Sequence, residues 1–281
     1  MQMRVGARNL RLATGLLAAL AVGACDSNRP DDSLAGFSAQ EIFQRGEYEL
    51  ETNSRASRSV RYFSEIERIY PYSDWARRAL IMQAYAYHRG REFEESRAAA
   101  QRFLDTYPGD EDAAYAAYLL AISFYDQIDE VGRDQGLTFQ ALRHLRRVIE
   151  EYPETEFARS AVLKFDLAFD HLAAKEMEIG RFYLKRRNYV AAINRFRVVV
   201  EDFQTTTHTP EALHRLVEAY VALGFEDDAR TAAAILGHNF QANPFYQDSF
   251  RLLSGQGLEP GTAGDGWLQQ IYRQSILGEW L

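Results

Sequence analysis

The only cysteine of the chain is the residue whose chemistry is easiest to define. Cys25 follows arginines, an uncharged apolar run over residues 12–24, and a last step of small residues at 22–24. Charged, apolar and small segments in this order are typical of an export signal. One cysteine cannot form a disulfide within the chain, so a lone thiol at the cleavage point indicates a covalent use of its sulfur. We predict a signal peptide over residues 1–24 and lipidation at Cys25.

The apolar run is too short to remain in a membrane as a helix. It has thirteen residues, whereas a helix needs about 20 to cross the hydrocarbon core. Its ending at Cys25 resembles the lipobox of bacterial lipoproteins, which implies diacylglycerol on the sulfur and acylation of the new N-terminus. Two or more acyl chains, such as palmitate, anchor a protein stably. An ordinary cleaved signal with an incidental cysteine is the alternative. We expect a location in the outer membrane. Retention at the inner membrane is the alternative, which Asp26 directly after the cysteine leaves open.

Other residues that could do catalytic chemistry do not converge in the sequence. The six histidines lack the spacing of a metal site; His214 and Glu218, four residues apart, could supply two ligands, but no third is evident. The segment 261–266 imitates the two-glycine frame of a phosphate loop, but Trp267 stands where lysine is required. A lipidated Cys25 could not act as a nucleophile. The sequence therefore disfavours an enzyme and indicates neither a metal nor a cofactor.

The composition favours an all-α protein with protein partners. The chain has 281 residues, only seven prolines and a net charge of −8, and its valines and isoleucines are spaced as in helices rather than strands. Arginine and glutamate are interspersed, so no broad basic field is available for nucleic acid. The local basic cluster at 143–147 is interpreted as a solvated helix face.

Three Tyr-Pro steps divide the chain into repeating units. They lie at 70–71, 107–108 and 152–153, which gives spacings of 37 and 45 residues. A proline just past a helix stops it, and the polar residues that follow suit the cap of the next helix. Recurrence at this period is typical of an array of helical hairpins.

A finer register supports five hairpins. A large residue late in the first helix precedes a small one early in the second by nine positions, and small residues let two helices approach closely. In the third unit Phe124 and Ala141 are seventeen apart, so that hairpin has an extended loop over 127–136. The other pairs are Leu50/Ser59, Tyr87/Ser96, Tyr183/Ala192 and Tyr220/Ala229.

The fourth unit is the best formed, with Gly180, Tyr183, Ala192 and Phe196 in order. It resembles the tetratricopeptide repeat, and the resemblance implies an all-α, right-handed superhelical solenoid of five hairpins. Surplus apolar residues after the third Tyr-Pro step predict one long helix at about 155–187. A helical stripe that begins at Leu268 predicts a short C-terminal helix, which either packs on the array or meets a partner.

These patterns define the domain organisation. Residues 25–36 are expected to form a lipidated flexible tether, 37–153 to hold repeats one to three, and 154–254 to hold the long helix with repeats four and five. Residues 255–281 are predicted to form a Gly-rich linker and an amphipathic helix.

Several stretches resemble the BamD family of tetratricopeptide-repeat lipoproteins. They lie at 46–48, 65–71, 102–108, 125–128 and 188–196. The resemblance implies a non-enzymatic scaffold of the outer-membrane β-barrel assembly machinery, anchored in the outer membrane and facing the periplasm. It implies as partners the barrel subunit BamA, accessory lipoproteins, and the C-terminal targeting segments of unfolded outer-membrane proteins. A generic tetratricopeptide adaptor lipoprotein, of the cell-division or secretin-assembly type, is the alternative.

Two binding surfaces follow from the resemblance, because first helices line the concave side of such arrays. The first three units would bind the targeting segment and the last two would bind the barrel subunit. The alternative role of the tyrosines is packing between helices. The alternative for the basic residues is that they are charges on a helix face exposed to water. The peptide groove would comprise Tyr48, Arg78, Tyr85, His88, Tyr115, Tyr118 and Tyr125, and the partner surface Met177, Arg181, Arg186, Glu211, His214 and Glu218.

Overall fold

A computed structural model describes residues 34–52, 54–261 and 266–273. All regular structure in these ranges is helical, which confirms the predicted fold class. The five predicted hairpins are present, and two shorter helices follow them. The hairpins are α1 (Ala39–Glu51) with α2 (Ala56–Ile69), α3 (Asp74–Arg89) with α4 (Phe93–Thr106), α5 (Ala113–Tyr125) with α6 (Gly136–Glu151), α7 (Glu156–Lys185) with α8 (Tyr189–Asp202), and α9 (Thr209–Leu223) with α10 (Glu226–Asn239); α11 (Pro244–Ser254) and α12 (Trp267–Tyr272) come last.

The chain divides into two compact units, Met1–Ala79 and Leu80–Leu281. In the first unit α1 packs on α2. In the second, from α4 to α10, each helix packs on the next, and α5 also contacts α7 as α9 contacts α11. Contact between successive first helices is the arrangement of a tetratricopeptide-like array.

The same turn ends the second helix of every hairpin. An aromatic residue caps the helix, and its carbonyl accepts a hydrogen bond from the backbone N–H three residues later, at 2.8–3.2 Å. The hydroxyl of that later residue donates back to the same carbonyl at Ser73, Thr155 and Thr206. Proline is therefore dispensable in the turn, since Gln204 and Gln241 follow the aromatic residue in the last two hairpins. The five aromatic caps are Tyr70, Tyr107, Tyr152, Phe203 and Phe240.

Small residues lie where the two helices of each hairpin cross. All five predicted small positions are fully buried: Ser59, Ser96, Ala141, Ala192 and Ala229. In the second hairpin the Ser96 hydroxyl donates to the Ala84 carbonyl at 2.9 Å, a contact that a larger side chain would not allow.

Glycines bring the helices of two hairpins against a buried phenylalanine ring. A Cβ built at Gly180 would lie 2.4 Å from Phe196, and one at Gly46 would lie 2.7 Å from Phe63. Both rings are fully buried, so they have no room to move away. The hairpins α1–α2 and α7–α8 can therefore close to this distance only over glycine.

The long helix and the extended loop are present as predicted. α7 spans 30 residues, and the Thr155 hydroxyl caps its start by accepting the Ala158 N–H. The loop between α5 and α6 covers residues 126–135. Lys175 of α7 donates to the Gly132 carbonyl at 2.6 Å, which fixes the loop to the long helix.

Helix α11 was not predicted. Asn243 caps it by accepting the Phe245 N–H at 3.0 Å, and Pro244 occupies its first turn. These two residues are the start signal that the sequence offered.

The described part of the C-terminal helix packs on the array. In α12 Leu268 and Ile271 are buried in the core of the fourth and fifth hairpins, and the Trp267 indole donates to the Tyr220 hydroxyl at 3.1 Å. The remainder of the predicted stripe, beyond residue 273, lies outside the described residues. Over the described ranges, every helix is too short or too polar to cross a membrane.

We expect Gly180→Ala to destabilise the protein by about 2 kcal/mol. Overpacking against the Phe196 ring costs up to about 3 kcal/mol, and the better helix propensity of alanine returns about 1. Urea unfolding followed by circular dichroism measures this difference. Gly109→Ala is the matched control, because nothing lies within 4 Å of its added Cβ; equal midpoints for the two variants would contradict the close approach.

A second prediction concerns acid stability and His144. Its ring stacks on Phe124 at 5.1 Å, and burial, followed by the nearby Arg143, Arg147 and Arg97, lowers the pKa of His144 to about 4. The unfolded state therefore binds more protons as pH falls from about 6.5 to 4, and stability declines through that window.

Between pH 7.5 and 5 the wild type should lose about 1 kcal/mol more than His144→Phe, allowing for partial solvent screening. Urea unfolding at both pH values measures this, with the exposed His238→Asn as the control that should follow the wild type. A parallel loss in His144→Phe would exclude this histidine as the source.

Candidate binding surfaces

Three predicted groove tyrosines lie on one face of α5. Tyr115 and Tyr118 both contact the Phe157 ring of α7, with centroids 5.1 and 5.7 Å apart, and the Lys164 ammonium lies 5.0 Å from the Tyr125 ring centroid. All five side chains are partly exposed. We call Tyr115, Tyr118, Tyr125, Phe157 and Lys164 the tyrosine row. Its tyrosines both pack between helices and face solvent. The two interpretations of these tyrosines, packing between helices and peptide binding, are therefore compatible.

Two residues of α3 extend this surface. Tyr85 lies close enough to Tyr115 to raise its pKa, and the Tyr85 hydroxyl accepts a hydrogen bond from Arg89 at 3.0 Å. The His88 Nε2 atom lies 3.1 Å from an Asp126 carboxylate oxygen. Burial lowers the pKa of His88, although Asp126 opposes that shift, so at neutral pH this imidazole carries no charge.

The tyrosine hydroxyls are held in their neutral form. Burial is the main cause that raises the pKa of Tyr115, Tyr118 and Tyr125; a hydrogen bond with Ser160 partly lowers that of Tyr118. Neutral hydroxyls can both donate and accept hydrogen bonds. The row therefore offers apolar ring surface together with polar tips that suit a peptide backbone.

The remaining groove residues, Tyr48 and Arg78, lie in the first compact unit. Tyr48 is 58% exposed on α1. The Arg78 guanidinium lies 4.8 Å from the Trp75 ring centroid and 5.3 Å from that of Phe43. Arg78 is thus oriented by cation–π contacts within its own unit.

Three of the predicted partner residues, Arg181, Glu211 and Glu218, lie at a charged cleft in the second unit. The cleft encloses about 500 Å³ between the end of α7 and α9. Arg181 pairs with Glu211 at 2.9 Å, and Arg215 bonds both Glu211 and Glu218. Lys185 and Arg187 also line the cleft, so positive charge exceeds negative charge at its wall.

Beside the cleft, Arg186 covers an exposed aromatic ring. Its guanidinium lies 3.9 Å from the centroid of Phe182, whose side chain is 48% exposed. Arginine over an accessible aromatic ring is a combination that is frequent at the centre of protein interfaces.

Two of the predicted partner-binding residues are buried, which corrects their assignment. Met177 is 0% exposed within the core of the fourth and fifth hairpins, and His214 is 6% exposed. Both were placed by the first-helix register of a regular repeat. In this unit α11 packs on α9 and α8 packs on α7, and Met177 lies in a core that also contains residues of α9.

The buried histidine belongs to a serine–histidine–glutamate alignment. His214 Nδ1 lies 2.8 Å from the Ser249 hydroxyl, and its Nε2 lies 3.5 Å from Glu218. Ser249 is 0% exposed, so a substrate cannot reach this hydroxyl, and the alignment joins α11 to α9. Within the described ranges there is no group of three side chains that could hold a metal ion.

Sequence reasoning missed the part that α7 plays beside the tyrosines. Phe157, Ser160 and Lys164 recur at spacings of three and four, which is one face of a helix. The predicted lipidation site, Cys25, and most of the tether lie outside the described residues.

Comparison with known proteins gives a consistent family. The profile of the YfiO family, described as outer membrane lipoprotein, matches residues 36–235. The outer membrane protein assembly factor BamD of Caulobacter vibrioides is 50% identical over 72% of this chain and 66% of its own length. This chain therefore spans slightly less than two thirds of that relative. The BamD of Rickettsia prowazekii is 37% identical over 86% of this chain and 96% of its own length.

More distant relatives carry the same name. The BamD of Neisseria meningitidis serogroup A is 28% identical over 80% of this chain and 90% of its own length. An all-helical array with five hairpins, a matched profile over most of the chain and relatives well above 30% identity agree with one another. The chain belongs to the BamD family of outer membrane protein assembly factors.

Proposed function

We propose that this protein is a non-enzymatic scaffold subunit of the outer-membrane β-barrel assembly machinery. In this role it binds the C-terminal targeting segment of nascent outer-membrane proteins and the periplasmic domains of the barrel subunit BamA, beside accessory lipoproteins. The observation that carries the proposal is the tyrosine row, an accessible aromatic surface built by first helices of the array. Family membership supports the same role.

The tyrosine row has the size of a short extended peptide. Tyr115 and Tyr125 are ten residues apart on α5, which corresponds to about 15 Å along a helix. An extended strand rises about 3.3 Å per residue, so about five residues would cover that length. Alternate side chains of a barrel strand are apolar and would meet the rings, while its backbone would meet the hydroxyls.

Docking of the barrel subunit is assigned to the charged cleft and to Arg186 with Phe182. Of the residues assigned earlier, Arg181, Glu211 and Glu218 remain accessible at the cleft. Their ion pairs are partly exposed, so they would contribute little to affinity. They would instead help to align the two proteins and to select the partner. The exposed Phe182 ring would supply apolar area to the same contact.

The membrane attachment completes the proposal. A lipid on Cys25 would hold the N-terminal end at the inner face of the outer membrane, with the array in the periplasm. The tether of residues 25–36 is up to about 40 Å long when extended, and this length sets how far the first hairpin stands from the lipid surface.

Loss of aromatic surface should weaken binding of a targeting peptide. We expect Tyr85→Ala with Tyr118→Ala to raise the Kd of a peptide from the C-terminus of a barrel protein by roughly tenfold or more, since each buried aromatic contact contributes about 1 kcal/mol. Fluorescence anisotropy measures this affinity, and circular dichroism checks the fold.

Tyr72→Ala is the matched control, because Tyr72 is fully exposed outside the row and its loss should leave the Kd unchanged. An unchanged Kd in the correctly folded double variant would exclude the tyrosine row as the peptide site.

Charge reversal beside the cleft should weaken assembly. We expect Arg186→Glu to reduce the amount of barrel subunit that co-purifies from membranes by roughly fivefold, because a reversed charge on the docking surface slows association and repels the partner. Arg133→Glu, in the loop between α5 and α6, is the control and should co-purify normally.

If the wild-type protein brings down no barrel subunit, the machinery assignment fails and a generic adaptor becomes the better interpretation. Full recovery of the barrel subunit with Arg186→Glu would exclude only this docking surface.

A further inference from the structure

Three hairpin tips share one backbone turn, and glycine occupies its last position in only one of them. The N–H groups of Arg91, Arg187 and Gly224 each donate to the carbonyl three residues earlier, at 2.9–3.1 Å. Their φ angles are 61°, 60° and 78°, respectively. This left-handed region suits glycine and is unfavourable for a residue with a Cβ. Such residues cluster at functional sites, so the two arginine side chains need a reason to be there.

The arginine of the second hairpin has partners within its own fold. Arg91 lines a cavity of about 480 Å³ between hairpins two and three, together with three aspartates of the third hairpin: Asp126, Asp129 and Asp134. Its guanidinium also lies 5.7 Å from the centroid of the Phe93 ring. The left-handed arginine of this tip therefore shares its cavity with carboxylates of the same chain.

The equivalent arginine of the fourth hairpin, Arg187, lines the charged cleft, but the glutamates there already have partners. Arg181 donates to Glu211 at 2.9 Å, and Arg215 bonds both Glu211 and Glu218. Two arginines thus balance two glutamates, and the remaining charge on the wall of the cleft is positive.

That remaining charge belongs to Lys185 and Arg187. In the part of the chain that the structure describes, no ion pair joins either residue to an acidic side chain. Lys185 lies in the last turn of α7, where a cation is favourable because a helix C-terminus carries partial negative charge. Arg187 lies beyond the end of the helix in a strained backbone conformation, so the helix does not account for it. The cleft encloses about 500 Å³ beside it, which is enough space for a side chain from outside.

We infer that Arg187 binds a carboxylate side chain of the docked barrel subunit, and that this contact selects partner surfaces with Asp or Glu at the point that enters the cleft. The inference rests on the proposed docking of the barrel subunit at the cleft and names the chemical group that is recognised there. Arginine suits this role because its planar guanidinium can bind a carboxylate through two parallel hydrogen bonds. Lys185 adds positive charge that favours the approach of an acidic surface.

The test measures docking and stability on the same variants. Arg187→Gly removes the side chain and relieves the backbone, so its urea midpoint should be about 0.3 M higher than that of the wild type. The Kd of the barrel subunit should nevertheless rise about fivefold. Microscale thermophoresis measures this Kd with the lipidated mature protein and the full-length barrel subunit, both in detergent. A side chain with only a structural role would not raise stability and lower affinity together when it is removed.

Two further variants test the position and the charge. Arg91→Gly is the matched control, because it relieves the same turn outside the cleft and should leave the Kd unchanged. Arg187→Lys should keep most of the affinity, since it keeps the positive charge. With this variant a carbodiimide should join the introduced amine to a carboxylate of the barrel subunit as an amide, with loss of water. Mass spectrometry of the conjugate locates both linked residues.

The outcomes separate this inference from the proposed function. Equal Kd values for the wild type and Arg187→Gly overturn the role of Arg187, while docking at the cleft stands if Arg186→Glu still weakens it. A lower urea midpoint for Arg187→Gly also overturns the inference, because the side chain would then stabilise the fold. If Arg187→Lys binds as weakly as Arg187→Gly and gives no conjugate, a carboxylate is not the bound group. A wild-type protein that does not bind the barrel subunit overturns the proposed docking and the inference with it.

Discussion

The distance between the two helices of a hairpin controls the rest of this structure. Gly46 and Gly180 leave no space between their backbone and the buried rings of Phe63 and Phe196, and the fully buried small residues of all five hairpins keep the partner helices close. A single added methyl group at these crossings would force the helices apart, because a close-packed interior cannot absorb the volume elsewhere. Within the second compact unit, the first helices α5 and α7 then come into contact.

The binding surfaces follow from that packing. The small residues of the second helices pack against the first helices. Aromatic residues elsewhere on the first helices remain partly exposed, and Tyr115 and Tyr118 share the Phe157 ring across α5 and α7. Contacts of this kind restrict the rotamers of the tyrosines before a ligand arrives, which lowers the entropy cost of binding. At the far end of α7, four basic residues surround two glutamates in the cleft. One long helix thus contributes to two surfaces with different chemistry.

The sequence predicted most of the fold because its signals are local. Tyrosine-proline steps mark the ends of second helices, and the long helix, expected at about 155–187, spans Glu156–Lys185. The candidate sites were harder to predict, since burial depends on which element covers a residue. Met177 and His214 occupy positions that would face a groove in a regular repeat, yet neighbouring helices cover them. Lys164 was overlooked because its helix was treated as surplus sequence, although the spacing from Phe157 is that of one helix face.

The aromatic turn at the end of each hairpin has a consequence for how this chain can change in evolution. Its hydrogen bond closes over three residues, and it recurs in all five places with nearly the same geometry, so the path from one repeat to the next has no room for extra sequence. Three hairpin tips are closed in a similar way, since the N–H groups of Glu92, Asn188 and Phe225 donate to the carbonyls of Tyr87, Tyr183 and Tyr220 at 2.9–3.0 Å. The tip of the third hairpin differs, and the ten residues at 126–135 are accommodated there while α5 and α6 remain paired. Lineages that gain or lose residues should therefore do so at the tip of the third hairpin, where a new loop could recruit an accessory subunit without disturbing the existing contacts.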